Sequence, residues 1–413
     1  MSALLAEYER LAMMQSCLAQ GLDAPAMFEV HVRRLPPSTG YLVAAGLEQV
    51  LQYLKSFSFS EAEHSWLGEQ SPFSAQFLAY AKTLRFEGDV FAMPEGSIFF
   101  AGEPVLRISA AFPLAQYLET RVLNLLQFEI SVCSWASRLV SAAGGRRLID
   151  AGLRFAHGHE SDLLASRACF IAGFSGTSSL DACRRFKIPL ARTLTASRPG
   201  SSPADPDSLE QLVHGTTLGG TELEFVRLLG DELANRAFEL RSALDAQGLQ
   251  RLGILAAGEF DAEQIAALVA SAAPIDAFAP TRVLPHAGDL LAADAVYALA
   301  PRGPGPLDAP VSTGRQVWRE AAGDGTFVRD TVMLDGPSGP PGARPLLQPV
   351  MHGGRRIGRA ITLEEARDHH AQQRLALPIA PTPAVEVRRS DDVADASNTD
   401  LTRADLRAHP TPH

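Results

Sequence analysis

Hydrophobic positions fall at helical spacing along much of the chain and at strand spacing in a few short stretches. Residues 1–80 read as mainly helical, with one interruption by a short alternating strand around Phe28–Val32. In GLEQVLQYLKSF, the side chains of Leu47, Val50, Leu51 and Leu54 share one helical face. Between Phe86 and Ala110 the pattern turns to β: three short apolar runs are separated by turn signals at Pro94–Gly96 and Gly102–Pro104. From Pro113 helical spacing returns through Leu114, Leu118, Val122 and Leu125, and a second helix through Val132–Ala143 is predicted to stop at Gly144-Gly145. Short apolar runs then alternate with amphipathic stretches. RRLIDAG, KIPLART, RLGILAAG and PIDAFAP read as strands; LLASRACFIAGF, DELANRAFELRSALDAQG and DAEQIAALVASA read as helices. Such alternation predicts parallel strands with helices outside, an α/β fold of irregular β/α-barrel type.

This pattern divides the chain into four parts. Residues 1–111 form a helical and β-rich region, 112–300 a β/α barrel, and 301–381 a segment completing the β-rich module. Beyond Tyr297, PRGPGPLDAP and LDGPSGPPGARP are loops, and TLEEARDHHAQQRL is a short polar helix whose His369 and His370 read as surface. Residues 382–413 carry few large apolar groups and many charges, the composition of a disordered tail.

Composition narrows the function. The 413 residues carry 37 Lys+Arg against 47 Asp+Glu, a net charge of −10, with no basic block. That disfavours nucleic acid as a partner, because phosphate neutralisation needs a basic surface. Cys17, Cys133, Cys169 and Cys183 form no CxxC pair and no disulfide framework. The opening MSALLAEYERLAMM carries Glu7 and Glu9, unlike a signal peptide, and no apolar stretch is long enough to cross a membrane. A cytoplasmic protein is expected.

The richest candidate chemistry lies in DAGLRFAHGH (Asp150–His159) and GFSGTSS (Gly173–Ser179). The first places Arg154 and His157 just after a predicted strand, where barrel sites are built. The second offers Gly176 for close backbone approach, with the hydroxyls of Thr177, Ser178 and Ser179 at a helix start, a combination that can hold phosphate. On pattern alone, a helix cap is the simpler reading. GFSGT lacks the second glycine of a hydrolase elbow. His157, His159 and Glu160 have no partner set for zinc.

These segments, in this order, resemble the nicotinate phosphoribosyltransferase family from about Glu9 to Pro378. MMQSCLAQGL with MFEVHVRRLP, FAMPEGSIFFAGEPVLRI, LAQYLETRVLNLLQFE, ASRACFIAGFSGTSS, APIDAF, GRQVWRE and PLLQPVM carry the likeness. The resemblance implies a type II phosphoribosyltransferase: an irregular β/α barrel with a β-rich domain from both chain ends. It implies nicotinate and phosphoribosyl pyrophosphate as substrates, nicotinate mononucleotide as product in NAD salvage, Mg²⁺ on the pyrophosphate, and a homodimer. Family members couple the reaction to ATP through a phosphorylated histidine.

Carried over by position, Arg33, Arg154, His157, Gly176, Thr177, Ser178 and Thr193 are the expected substrate contacts. Other positions depart from the family pattern. Phe155 replaces the second Arg of its Gly-x-Arg-Arg motif, and Ala196 stands at the histidine. Leu229 and Glu232 replace or alter two Asp, Glu259 stands in a Ser-Gly-Gly loop, and Pro280-Thr281 alter a Gly-Val-Gly-Thr turn. Alanine cannot accept a phosphoryl group, so phosphorylation by ATP is not expected. The departures leave three readings open: an enzyme uncoupled from ATP, a degenerate homologue that binds or regulates, and, given Phe155 and His157, a phosphoribosyltransferase with a changed acceptor.

Overall fold

A computed structural model describes residues 2–35, 40–70, 73–195, 224–281, 294–300, 314–336, 338–378 and 385–390. The chain folds as two units. One comprises Met1–Gln127, Ala293–Ala360 and Gln372–His413; the other comprises Phe128–Ala292 and Ile361–Ala371.

The first unit opens with α1 (Tyr8–Ala19) and β1 (Pro25–Val32), the latter three residues longer at its start than the alternation predicts. After β2 (Leu42–Val43) comes α2 (Leu47–Lys55), with Leu47, Val50, Leu51 and Leu54 buried together with Tyr53. Ser60 and Glu63 form a reciprocal capping box that starts α3 (Glu61–Glu69), and the Ser74 hydroxyl caps α4 (Ala75–Thr83). The three apolar runs become β3 (Asp89–Ala92), β4 (Ile98–Phe99) and β5 (Pro104–Ala111). A short α5 (Phe112–Tyr117) precedes α6 (Glu119–Ala142), one unbroken helix where the sequence predicts a break further along.

The second unit holds the parallel strands: β6 (Arg147–Asp150), β7 (Gly176–Thr177), β8 (Thr193–Thr195), β9 (Phe225–Leu228), β10 (Gly253–Gly258) and β11 (Ala277–Pro280). Between them lie α7 (His159–Ala172), α8 (Leu180–Phe186), α9 (Leu233–Ala246) and α10 (Ala262–Ala270). The sheet order is β7-β6-β11-β10-β9-β8. Its two edges meet: Thr177 of β7 bridges Leu190 in parallel, its N–H donating to Pro189 O (3.1 Å) and its carbonyl accepting from Ala191 N (3.0 Å). The six strands therefore close into a barrel. KIPLART, read as one strand, divides between this bridge and the start of β8, and β9 arises where no strand is predicted. Ile149, Phe225, Leu255, Ala257, Ala277 and Ala279 pack into one cluster with Ala151 and Ala191 against it. Their every-second-residue spacing on β10 and β11 marks the barrel's inner face. The interior is filled, not a pore.

Apart from Ile361–Ala371, the rest of the chain returns to the β-rich unit. β12 (Ala295–Leu299), assigned by sequence to the barrel, instead pairs antiparallel with β1, so the barrel does not extend to residue 300. β13 (Arg315–Ala321), β14 (Phe327–Leu334), β15 (Arg344–Pro345), β16 (Gln348–His352) and β17 (Arg355–Arg356) follow, then α11 (Leu363–Leu375) and β18 (Glu386–Arg389). One sheet has the order β12-β1-β5-β3-β16-β17, a second β15-β13-β14-β18, and β2 pairs with β4. β18 corrects the expectation of a structureless tail from residue 382: its residues are all exposed, and backbone pairing with β14 holds them. Residues 391–413 lie outside the described residues. His370 is also not surface; it is 1% exposed, with its Nε2 2.8 Å from the Ser137 hydroxyl. No helix among the described residues is long and apolar enough to cross a membrane.

Candidate active site at the barrel rim

Asp150 ends β6 and organises the loops around it. Its Oδ2 accepts from the Ser166 hydroxyl (2.5 Å) and the Thr177 hydroxyl (2.7 Å), and its Oδ1 accepts from Gly152 N (3.0 Å). Its carbonyl accepts from Ser178 N at 2.8 Å. Thr177 Oγ1 in turn accepts from Ser179 N at 3.0 Å, and the residue is fully buried. The hydroxyl expected to meet a ligand is thus committed to holding β6, β7 and the start of α8 together. Gly176 has a structural reason of the same kind, since a Cβ there would lie 2.6 Å from Pro189 O. Ser179 donates to Asp162 at 2.7 Å; burial nevertheless raises the Asp162 carboxyl above its ordinary range. Ser178 is half-buried beside these groups.

Arg154 sits on a single 3-10 turn, Leu153–Phe155, that follows β6, and it is exposed. Its positive charge reaches Arg227, the penultimate residue of β9, whose guanidinium is pushed below its usual range by burial first and by Arg154 second. Arg227 is two residues beyond the inward-facing Phe225, hence on the same inner face. Its Nε is buried and has no hydrogen-bond partner. Among the described residues, neither guanidinium is in a salt bridge. Two like charges held together without an acid form a local field that an anion neutralises. Sequence reasoning missed Arg227 because β9 was missed; the period-two step from Phe225 is the signal that finds it.

The remaining expected positions spread over strand ends and loops of the same unit. Phe155 (41% exposed) and Leu229 (42%) present apolar surface, and the Leu229 carbonyl accepts from Arg236 at 2.5 Å. His157 and Glu259 are exposed, Thr193 is half-buried at the start of β8, and Thr281 N donates to Gly258 O at 2.9 Å. Glu232 takes a left-handed conformation (φ 52°) at the start of α9. Ala196 lies outside the described residues. Arg33 belongs to the β-rich unit, where its Nε is 3.3 Å from Asp294.

Comparison with known proteins bears on this arrangement. The family model for the nicotinate phosphoribosyltransferase N-terminal domain matches residues 4–127. Nicotinate phosphoribosyltransferase pncB2 of Mycobacterium tuberculosis is 35% identical over 91% of this chain and 88% of its own length. The chain belongs to the nicotinate phosphoribosyltransferase family. A family relative from Bacillus subtilis is 30% identical over 67% of this chain and 62% of its own. The fold is also that of human nicotinic acid phosphoribosyltransferase, with a TM-score of 0.78, 22% identity, and coverage of 96% of this chain and 100% of that one. A nicotinate-nucleotide pyrophosphorylase from Pyrococcus furiosus shares it at TM-score 0.66 and 19% identity, over 90% and 94%. The architecture of the type II phosphoribosyltransferases, with antiparallel sheets and a parallel sheet, is therefore the architecture of this chain.

Proposed function

We propose that the protein transfers a phosphoribosyl group from phosphoribosyl pyrophosphate to nicotinate without passing a phosphoryl group from ATP to itself. The observation that carries this reading is the pair of guanidiniums, Arg154 and Arg227, each without a salt bridge among the described residues, at the rim of a family barrel. In the reaction the nicotinate ring nitrogen bonds to C1 of the ribose as the C1–O bond breaks, and pyrophosphate leaves with the electron pair. Positive charge develops on the ribosyl centre while negative charge gathers on the leaving group. Arg154 and Arg227 hold phosphate oxygens in place, and the Asp150 network fixes the loop that carries Arg154.

Among the described residues, no group of three His, Cys, Asp or Glu side chains is arranged to hold a metal ion. Mg²⁺ fits here as an ion carried on the substrate's own phosphate oxygens, where it would neutralise charge. ATP coupling has no support in the sequence, since Ala196 offers no nucleophilic nitrogen.

The test is pyrophosphate release from phosphoribosyl pyrophosphate and nicotinate, with and without ATP. Release unchanged by ATP, and lost in R227A, is the expected result; ATP-dependent release with a phosphorylated protein would overturn it. A second reading, a homologue that binds without turnover, is favoured by the apolar and acidic rim of Phe155, Leu229 and Glu259. Calorimetric binding of phosphoribosyl pyrophosphate with no pyrophosphate release would select it.

A further inference from the structure

Three consecutive hydroxyls, Thr177, Ser178 and Ser179, lie where β7 turns into α8, and they are used unequally. The outer two are buried and tied to buried carboxylates. Thr177 donates to Asp150 at 2.7 Å, and Ser179 donates to Asp162 at 2.7 Å. The half-buried Ser178 hydroxyl between them makes no hydrogen bond among the described residues. Asp150 ends β6 and Asp162 lies in the first turn of α7, so the two carboxylates also bracket the segment that carries Arg154. One bracket is fastened to the other, with Arg154 inside the first and Ser178 inside the second. The two ties are not equivalent. Around Thr177 the backbone already holds the turn: Thr177 N donates to Pro189 O, its carbonyl accepts from Ala191 N, and Ser178 N donates to Asp150 O. Beyond Ser178 the buried link back to α7 is the Ser179–Asp162 hydrogen bond. A second link, His159 Nε2 to Asp181 at 3.2 Å, is open to solvent and adds little.

We propose that Asp162 is a positioning residue: acting through Ser179, it holds the Ser178 hydroxyl in fixed relation to Arg154, so that both meet the phosphates of one substrate. This rests on the transfer reaction proposed above. Stability does not account for the pair. Ser179 immediately precedes α8, where a serine hydroxyl ordinarily caps the helix, and it makes no such bond. Asp162 is 3% exposed and in no salt bridge among the described residues. Burial pushes its carboxyl above the ordinary range; Asp150 and Asp181 push the same way, while Ser179 and His159 oppose them. A cap forgone and a carboxylate buried without a cation both count against folding. What they achieve together is a turn whose middle hydroxyl is preset. Two donor groups held in place lower the ordering cost of binding, so the effect belongs to substrate affinity more than to the chemical step. Ser179 stands where the family turn has Asn, so the tie belongs to this chain's own sequence.

The experiment pairs a measurement that needs no turnover with one that does, both on the full chain. Amide hydrogen exchange is followed at Ser178 and Ser179 without substrate, and pyrophosphate release is followed against phosphoribosyl pyrophosphate at saturating nicotinate. D162A and S179A should each speed exchange at both amides roughly tenfold, while the amides paired along β10 keep their protection. Each should raise KM for phosphoribosyl pyrophosphate roughly tenfold and leave kcat within about twofold. D162N still accepts from Ser179 and S179T still donates, so both should hold KM within about threefold of the unsubstituted chain. Unchanged exchange and KM in the alanine variants would overturn the proposal. A fall in kcat at constant KM would do the same, as would D162N failing as fully as D162A, because the charge and not the tie would then be responsible. If the unsubstituted protein releases no pyrophosphate, the transfer reading falls alone. Exchange, with the Kd for phosphoribosyl pyrophosphate in place of KM, then decides the positioning role in the same variants.

Discussion

In the β-rich unit Arg319 is wholly buried and commits one edge of its guanidinium, Nε and Nη2, to Asp330 at 2.8 and 2.5 Å, whereas in the barrel Arg154 and Arg227 feel each other's charge and neither is in a salt bridge among the described residues. The buried one also lies 4.3 Å from the Phe327 ring centroid and 5.7 Å from that of Phe100, and its Nη1 reaches Gln373 at 3.2 Å. Glu103 completes this knot: burial, and next the Asp330 carboxylate, push its own carboxyl well above the normal range. The same residue type is tied to its acid in one unit, and in the other it keeps donors that the proposed function gives to a ligand. Exposure alone does not separate the two cases, since Arg227 is itself half-buried.

Removing a partner from the satisfied arginine should have the largest effect. Asp330→Ala leaves Arg319 charged and buried, and should cost about 3–5 kcal/mol in denaturant unfolding. Next comes the acid sensitivity of the β-rich unit. His31 of β1 protonates near 6.5 in the unfolded chain and, held down by burial and then by the Arg315 charge, at about 4 in the folded one. Between those values only the unfolded chain takes up the proton, so stability should fall as the pH drops through that window and then level off. The loss should reach up to about 3 kcal/mol, and H31Q should flatten the slope. In the barrel, R227A should weaken phosphoribosyl pyrophosphate binding by roughly a hundredfold with little change in unfolding free energy, because a repulsion is removed with the ligand contact. A melt lowered as far as by Asp330→Ala would erase the contrast between the two arginines. The smallest expected effect belongs to Thr177→Val. It should lower stability by on the order of 1–2 kcal/mol, since Asp150 and the Ser179 N–H each lose a partner. Per folded molecule, anion affinity should survive; a loss as large as that of R227A would return Thr177 to the ligand.

Much of the fold was legible because burial writes a period into the chain. The α2 face, the β10 and β11 runs and the order of family segments all speak for themselves in the sequence. Elements that burial does not dominate were hidden. β9 is interrupted by Arg227, β18 is EVRR with every residue exposed, and β7 is two residues long, below the reach of any pattern. Positions in the site were legible and directions were not. The motif located Thr177, but its hydroxyl turns to Asp150, a partner 27 residues away that no local spacing reveals. His370 misled in the same way: a polar helix conceals one inward-facing imidazole. Arg227 required both steps, finding a strand and then choosing its face.

The closure of the barrel has a mechanical consequence. A ring whose last seam is one bridged residue and two backbone hydrogen bonds is a clasp, and it can open without unravelling the hoop. Its amides, Thr177 and Ala191, should exchange with deuterated solvent ahead of those paired along β10 and β11. Gly176 is the catch of that clasp. Gly176→Ala would press a methyl against the Pro189 carbonyl and hold the ring ajar, slackening the turn on which Ser178 and Ser179 sit while the remaining strands stay stacked.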